Sequence, residues 1–184
     1  TLPADAIALN VDLLMELVRE FKGNGAVDIV ACSTAVMRTA KNREEFQQAV
    51  REIVGLDLKI LSGSQEATLT YTGAVSALEL LPHERVNVID LGGGSTEVIS
   101  GHGNVPGQSV SLEAGAVTLT KRYFIPDEVQ TPEEITRLRN DVRKIQGNLF
   151  SPELHEGVPW ILVGGTSVTL AMIKQNLSRY QPEK

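Results

Sequence analysis

VIDLGGGSTE, residues 88–97, is the stretch on which the fold turns. An apolar run ends in an acid, Asp90; three glycines, Ser95 and Thr96 follow, and a second acid, Glu97, opens another apolar run. Glycines let the backbone adopt positive φ and let a bound group approach the amides closely. Successive amides can then converge on an anion. The GxxxxGK[ST] phosphate loop is absent, since no lysine follows the glycines. The dinucleotide fingerprint needs a helix next, whereas TEVIS reads as a strand. The stretch is therefore expected to be a strand–turn–strand phosphate loop, with Gly92, Gly93, Gly94, Ser95 and Thr96 around the phosphate. A carboxylate beside a phosphate repels it unless a cation lies between. Mg²⁺ takes one or two carboxylates together with substrate phosphate oxygens, so Asp90 and Glu97 are the expected metal residues. The plain alternative is a tight hairpin with two solvated acids.

On either side of this loop the character of the chain differs. Upstream, residues 4–22 place Ala6, Leu9, Leu13, Leu17 and Phe21 at helical spacing, widened by Leu14 and Val18. Val27–Ala31 reads as a buried strand, Asn42–Val54 as a helix, Leu56–Leu61 as a strand and Gln65–Leu81 as a helix closed by Pro82. That alternation indicates an α/β lobe with at least partly parallel strands. Downstream, Asn87–Leu91, Ser95–Ser100 and Gln108–Glu113 form a meander, with GHGN at 101–104 as a turn. Helices are expected at 115–124, from Thr131 to about 149, and at 166–176, with a strand at 160–163. Thr131, Pro132 and Glu134 make a capping box with proline at the first helical position. Two lobes follow, residues 1–82 and 83–184.

A second glycine pair lies in ILVGGTSVTLA, residues 161–171. Strand, Gly164-Gly165, then Thr166 opening a helix is an anion site at a helix N-terminus, or simply a capped helix.

Bulk properties narrow the function. The chain has 184 residues, 42% hydrophobic, with net charge −6. No basic patch favours non-specific nucleic-acid binding. No stretch approaches the roughly 20 apolar residues of a membrane span. The single cysteine, Cys32, is expected to be a buried, inert thiol, which suits a reducing cytoplasm. His83, His102 and His155 lack metal-ligand spacing and are expected in exposed loops.

Five segments, in order, resemble the exopolyphosphatase / guanosine pentaphosphate phosphohydrolase (Ppx/GppA) family of the actin-like ATPase superfamily: STAVMRTAKN (33–42), LSGSQEATLTYTG (61–73), DLGGGSTE (90–97), SLEAGAVTLTKRYF (111–124) and VGGTSVTLA (163–171). The resemblance implies an actin-like (ribonuclease H-like) two-lobed α/β fold with mixed sheets flanked by helices. It also implies a chain incomplete at both ends, lacking the first strand and first phosphate loop and the closing helices. It implies Mg²⁺-aided attack of water on a terminal phosphoryl group of inorganic polyphosphate or guanosine pentaphosphate, in the full-length protein rather than in this fragment. Glu66 is then the base or water-orienting residue, Arg38 a guanidinium for phosphate oxygens, and Thr34, with Ser33, a source of hydroxyl donors. Gly115 and Val117 would shape the approach of a helix. Gly164, Gly165 and Thr166 sit where related ATPases hold a nucleoside. No nucleic-acid or membrane partner is implied, and a homodimer is left open. A kinase-like phosphotransferase and a non-catalytic polyphosphate or nucleotide sensor are the competing readings on the same fold.

Overall fold

A computed structural model describes residues 1–76, 78–150 and 156–181. Contacts divide the chain into two compact units, Thr1–Glu66 and Ala67–Lys184.

The first unit opens with α1 (Ala4–Gly23) and continues through β1 (Ala31–Ser33), α2 (Ala35–Thr39), α3 (Arg43–Ala49) and a π-helical turn at Val50–Val54 to β2 (Leu58–Ile60). Strands β1 and β2 pair in parallel, Ala31 opposite Leu58 and Ser33 opposite Ile60. The core collects Ile7, Val11, Met37, Phe46, Val50 and Leu58. Three expectations change here. The helix α1 is as read, but Leu9, Leu13, Leu17 and Phe21 are exposed, while Ile7, Val11 and Val18 are buried. Apolar residues occupy two stripes of this helix, and α1 packs against the π-helical turn with the stripe carrying Ile7 and Val11. The strand expected at Val27–Ala31 starts only at Ala31, and Val27 is 91% exposed, because pairing with Leu58 sets the strand. Cys32 is exposed rather than buried. It alternates with half-buried Ala31 and Ser33, and successive strand side chains point to opposite faces.

The division falls within α4 (Gly63–Val75), earlier than the change of character read near residue 83. Ala67, Tyr71 and Val75 are buried with Val86, Val88 and Ile99 of the second sheet, which accounts for the position. Helix α4 is also shorter than the span Gln65–Leu81 read from the pattern. Fully buried Tyr71 donates its hydroxyl to the Gly103 carbonyl at 2.9 Å, and burial pushes its pKa up.

The second unit holds β3 (Arg85–Leu91), β4 (Thr96–His102), β5 (Val105–Leu112), α5 (Ala116–Tyr123), α6 (Pro132–Gln146), β6 (Trp160–Val163) and α7 (Gly165–Lys174). Its sheet has the order β5-β4-β3-β6. The meander β3–β4–β5 is antiparallel, and β6 joins β3 in parallel. Helix α6 starts on the expected capping box: Thr131 accepts from the Glu134 amide, and Glu134 accepts from the Thr131 amide. That bond and the Thr131 hydroxyl hold the Glu134 carboxyl below its ordinary pKa. His83 is exposed in a turn, as read; His102 is exposed but ends strand β4, paired with Arg85 and Val105, rather than lying in a loop; His155 lies outside the described residues. Among the described residues no helix is long and apolar enough to cross a membrane.

Candidate active site

Residues 88–97 form the hairpin that the glycines predicted. Strand β3 ends at Leu91, Gly92 donates its amide to the Ser95 carbonyl at 3.1 Å, and β4 starts at Thr96. Asp90 stands directly opposite Glu97 in the antiparallel register. Directly opposed residues on adjacent strands share a face with Cβ atoms roughly 5 Å apart, and like charges there repel.

The polarity of the loop is set by α5. The amides of Ala116, Val117 and Thr118 donate to the carbonyls of Gly92 and Gly93 at 2.9–3.1 Å, and the Thr118 hydroxyl donates to the Gly94 carbonyl at 3.0 Å. The positive N-terminus of α5 is thus spent on the loop carbonyls. The amides of Gly93, Gly94 and Ser95 donate to no acceptor among the described residues, so they remain available to an anion. Gly115 makes this contact possible: a Cβ there would lie 2.3 Å from the Gly94 carbonyl carbon and 2.4 Å from the Gly93 oxygen.

The hydroxyls are less free than the sequence suggested. Ser95 Oγ donates to Glu97 Oε1 at 2.7 Å, and Thr96 Oγ1 donates to the Ala114 carbonyl at 2.9 Å. Glu97 is only 3% exposed. Its Oε1 accepts a second hydroxyl, from Ser111 of β5, at 2.8 Å. Ser111 opens the SLEAGAVTLTKRYF segment, but nothing along the chain marks it as a partner of Glu97; the β4–β5 register does, where it faces Glu97.

The second glycine pair lies beside Asp90. Val163 pairs with Asp90, and Gly164 then turns with φ +87° into α7. A Cβ on Gly164 would meet Asp90 Oδ1 at 2.7 Å and the Leu91 carbonyl at 3.1 Å. Thr166 follows in the first turn of α7, and Ser167 Oγ is sealed from solvent without a hydrogen-bond partner. In the second unit, then, the structure brings together Asp90, the glycine loop, Glu97 and Gly164.

In the first unit it brings together Arg38 and Glu66. Arg38 Nη1 donates to Glu66 Oε2 at 2.5 Å and to the Leu61 carbonyl at 3.0 Å. The side chains are 25% and 17% exposed. Glu66 is placed by a capping box that the pattern S-x-x-Q encodes: the Gln65 amide donates to Ser62 Oγ, and the Ser62 amide donates to Gln65 Oε1. Arg38 uses one nitrogen for both bonds, leaving Nε and Nη2 without partners among the described residues. Thr34 precedes α2, and its hydroxyl makes no capping bond. Two surface hollows, about 440 Å³ along α6 and about 270 Å³ beside α1, include neither Glu66 nor Asp90 nor Glu97.

A carboxylate fixed by a guanidinium suits proton abstraction or orientation of a water. Free loop amides beside two opposed acids suit a phosphate together with a cation. The solved structure of the Aquifex aeolicus PPX-GPPA enzyme is 31% identical, and superposes with a TM-score of 0.77 over 99% of this chain and 58% of that one. An exopolyphosphatase from Cytophaga hutchinsonii shares the fold at 20% identity, with a TM-score of 0.82, covering 100% of this chain and 59% of that one. A bifunctional 3-dehydroquinate synthase/phosphatase of Fusobacterium nucleatum is 25% identical over 159 residues, which are 85% of this chain and 24% of that protein. The chain thus spans about three-fifths of these solved structures. The model of the Ppx/GppA phosphatase family matches residues 1–184; the chain belongs to that family and has its actin-like α/β fold.

Proposed function

We propose that this chain carries the chemical core of a hydrolase that releases orthophosphate from the terminal phosphoanhydride of inorganic polyphosphate or of guanosine pentaphosphate. The observation that carries the reading is the split polarity of the loop: the carbonyls of Gly92, Gly93 and Gly94 are tied to α5, while the amides of Gly93, Gly94 and Ser95 find no acceptor among the described residues. Phosphoryl transfer is catalysed by positioning and charge neutralisation, and a loop of this kind supplies both to a phosphate.

The acids fit a resident cation. Asp90 and Glu97 face each other, and Glu97 Oε2 takes no hydrogen bond from the described residues although the residue is almost wholly buried. No group of three or more His, Cys, Asp or Glu side chains with metal-binding geometry occurs among the described residues. Two carboxylates and substrate oxygens are what Mg²⁺ accepts and Zn²⁺ does not favour. When bound, Mg²⁺ would neutralise charge on the phosphate oxygens. Asp90 and Glu97 would hold it, Gly93, Gly94 and Ser95 would bind phosphate through their amides, and Thr96 would hold the loop to Ala114. Glu66 would orient or deprotonate the attacking water, held by Arg38. Thr34 and the Gly164–Thr166 turn would contribute further polar contacts to substrate.

Orthophosphate release from polyphosphate and from guanosine pentaphosphate by the full-length protein tests the reading. Release from either supports it. Transfer of phosphate from ATP to an acceptor without hydrolysis would favour a phosphotransferase, and tight binding without turnover a sensor.

A further inference from the structure

We propose that Ser111 is a positioning residue for the cation site, holding the Glu97 carboxylate so that Oε2 faces the metal. The inference rests on the cation reading above and deepens it. Asp90, Glu97 and Ser111 stand in one row across β3, β4 and β5, each directly opposite the next. Residues in one such row share a face of the sheet. Glu97 Oε1 accepts hydroxyls from both Ser111 and Ser95, at 2.8 and 2.7 Å. Its Oε2 has no hydrogen-bond partner, yet the polar atoms sealed from solvent without a partner comprise only Ser167 Oγ among the described residues. One oxygen of a nearly buried acid is therefore clamped, and the other is presented.

The two serines differ in what else they can do. Ser95 lies in the phosphate loop, where its hydroxyl can turn toward substrate. Ser111 lies on the edge strand β5, exposed, and among the described residues its hydroxyl bonds only to Glu97. It is the partner that can keep Glu97 in place while Ser95 exchanges. Hydrogen-bond partners of metal-ligating carboxylates set affinity, and their loss typically costs about 10–100-fold. Ser111 packs in no core cluster, so its truncation should leave the fold intact.

The test is Mn²⁺ binding to the full-length protein, followed by the electron paramagnetic resonance of free Mn²⁺, with no substrate and no turnover. S111A is expected to weaken binding about tenfold or more, and S111T, which keeps the hydroxyl, to stay within about threefold of wild type. At saturating cation, the KM of S111A for polyphosphate should stay near wild type, since the phosphate loop is untouched. S111C, isosteric but a poor donor, should follow S111A. Wild-type Mn²⁺ affinity in S111A and S111C, with E97Q impaired, would overturn the role of Ser111 alone. Unchanged Mn²⁺ affinity in E97Q and D90N as well would overturn the cation reading itself.

Discussion

The two units each present acids, and they hold them in opposite ways. Glu66 is matched by a guanidinium: Arg38 binds it and the end of β2 with a single nitrogen. Asp90 and Glu97 stand opposite each other across a hairpin, and among the described residues two hydroxyls hold the Glu97 carboxylate. A paired acid is fixed in place by the protein itself. Two directly opposed acids repel each other, and a cation between them would relieve that repulsion. On the function proposed above, the first pair handles the proton and the second binds a cation, and that contrast can be broken from either side.

The largest effect is expected from E66Q. Loss of a single general base costs about 10²–10⁴-fold in turnover, read as orthophosphate release by the full-length protein. If the pair acts as a unit, R38M combined with E66Q should cost little more than E66Q alone, since effects within one interacting pair are not additive. Full additivity would separate Arg38 from Glu66 and dissolve the first half of the contrast.

Next comes G115A. The added Cβ would fall 2.3 Å from the Gly94 backbone, so the loop must shift away from α5. A displacement on the order of 1 Å can cost about 10²-fold. Circular dichroism should show a folded protein in which orthophosphate release is lost. Wild-type activity would mean that the α5 contact does not set the loop.

A thermal shift sharpens the second half. Wild type should gain stability with Mg²⁺, by about 2.7 kcal/mol at a hundredfold excess over Kd, whereas E97Q should gain much less. E66Q should respond like wild type. An equal response in E66Q and E97Q would leave the two acids indistinguishable.

The smallest effect tests the support beneath the hairpin. Tyr71 is buried against β3 and β4, and its pKa is raised by that burial. The folded state therefore favours the neutral phenol. Its contribution is fully present below the ordinary tyrosine pKa of about 10 and is lost as pH rises through the folded value. Denaturant midpoints should fall above about pH 10 in wild type, and that part of the fall should be absent in Y71F. Removing the hydroxyl leaves the Gly103 carbonyl without its donor, at a cost of roughly 1–3 kcal/mol.

Local chemistry was legible in the chain where the cause is local. Three glycines between a strand and a hydroxyl pair define a hairpin loop, and Thr131-Pro132-Glu133-Glu134 defines a helix start; the structure has both. The S-x-x-Q box at Ser62–Gln65 has the same local cause, although it was not read from the sequence. Partner choice was not. Leu9, Leu13, Leu17 and Phe21 have helical spacing as good as that of Ile7 and Val11, and only the neighbouring turn decides which stripe is covered. The span Val27–Ala31 looked buried because it is apolar, but pairing with β2 starts at Ala31. Ser95 and Thr96 read as phosphate donors, whereas Glu97 and the Ala114 carbonyl claim their hydroxyls. The pairing of Ser111 with Glu97 could not be found without the β4–β5 register, which shifts between Ile99 and Gly101.

On the proposed function, the Asp90–Glu97 hairpin receives a cation and a terminal phosphate for hydrolysis. The most direct measurement is the time course of orthophosphate release from polyphosphate by the full-length protein, with Mg²⁺ and with the metal chelated. Steady release with Mg²⁺, abolished by chelation and by E97Q, is the predicted result. Release indifferent to both, or no release from polyphosphate or guanosine pentaphosphate under any condition, would contradict the account.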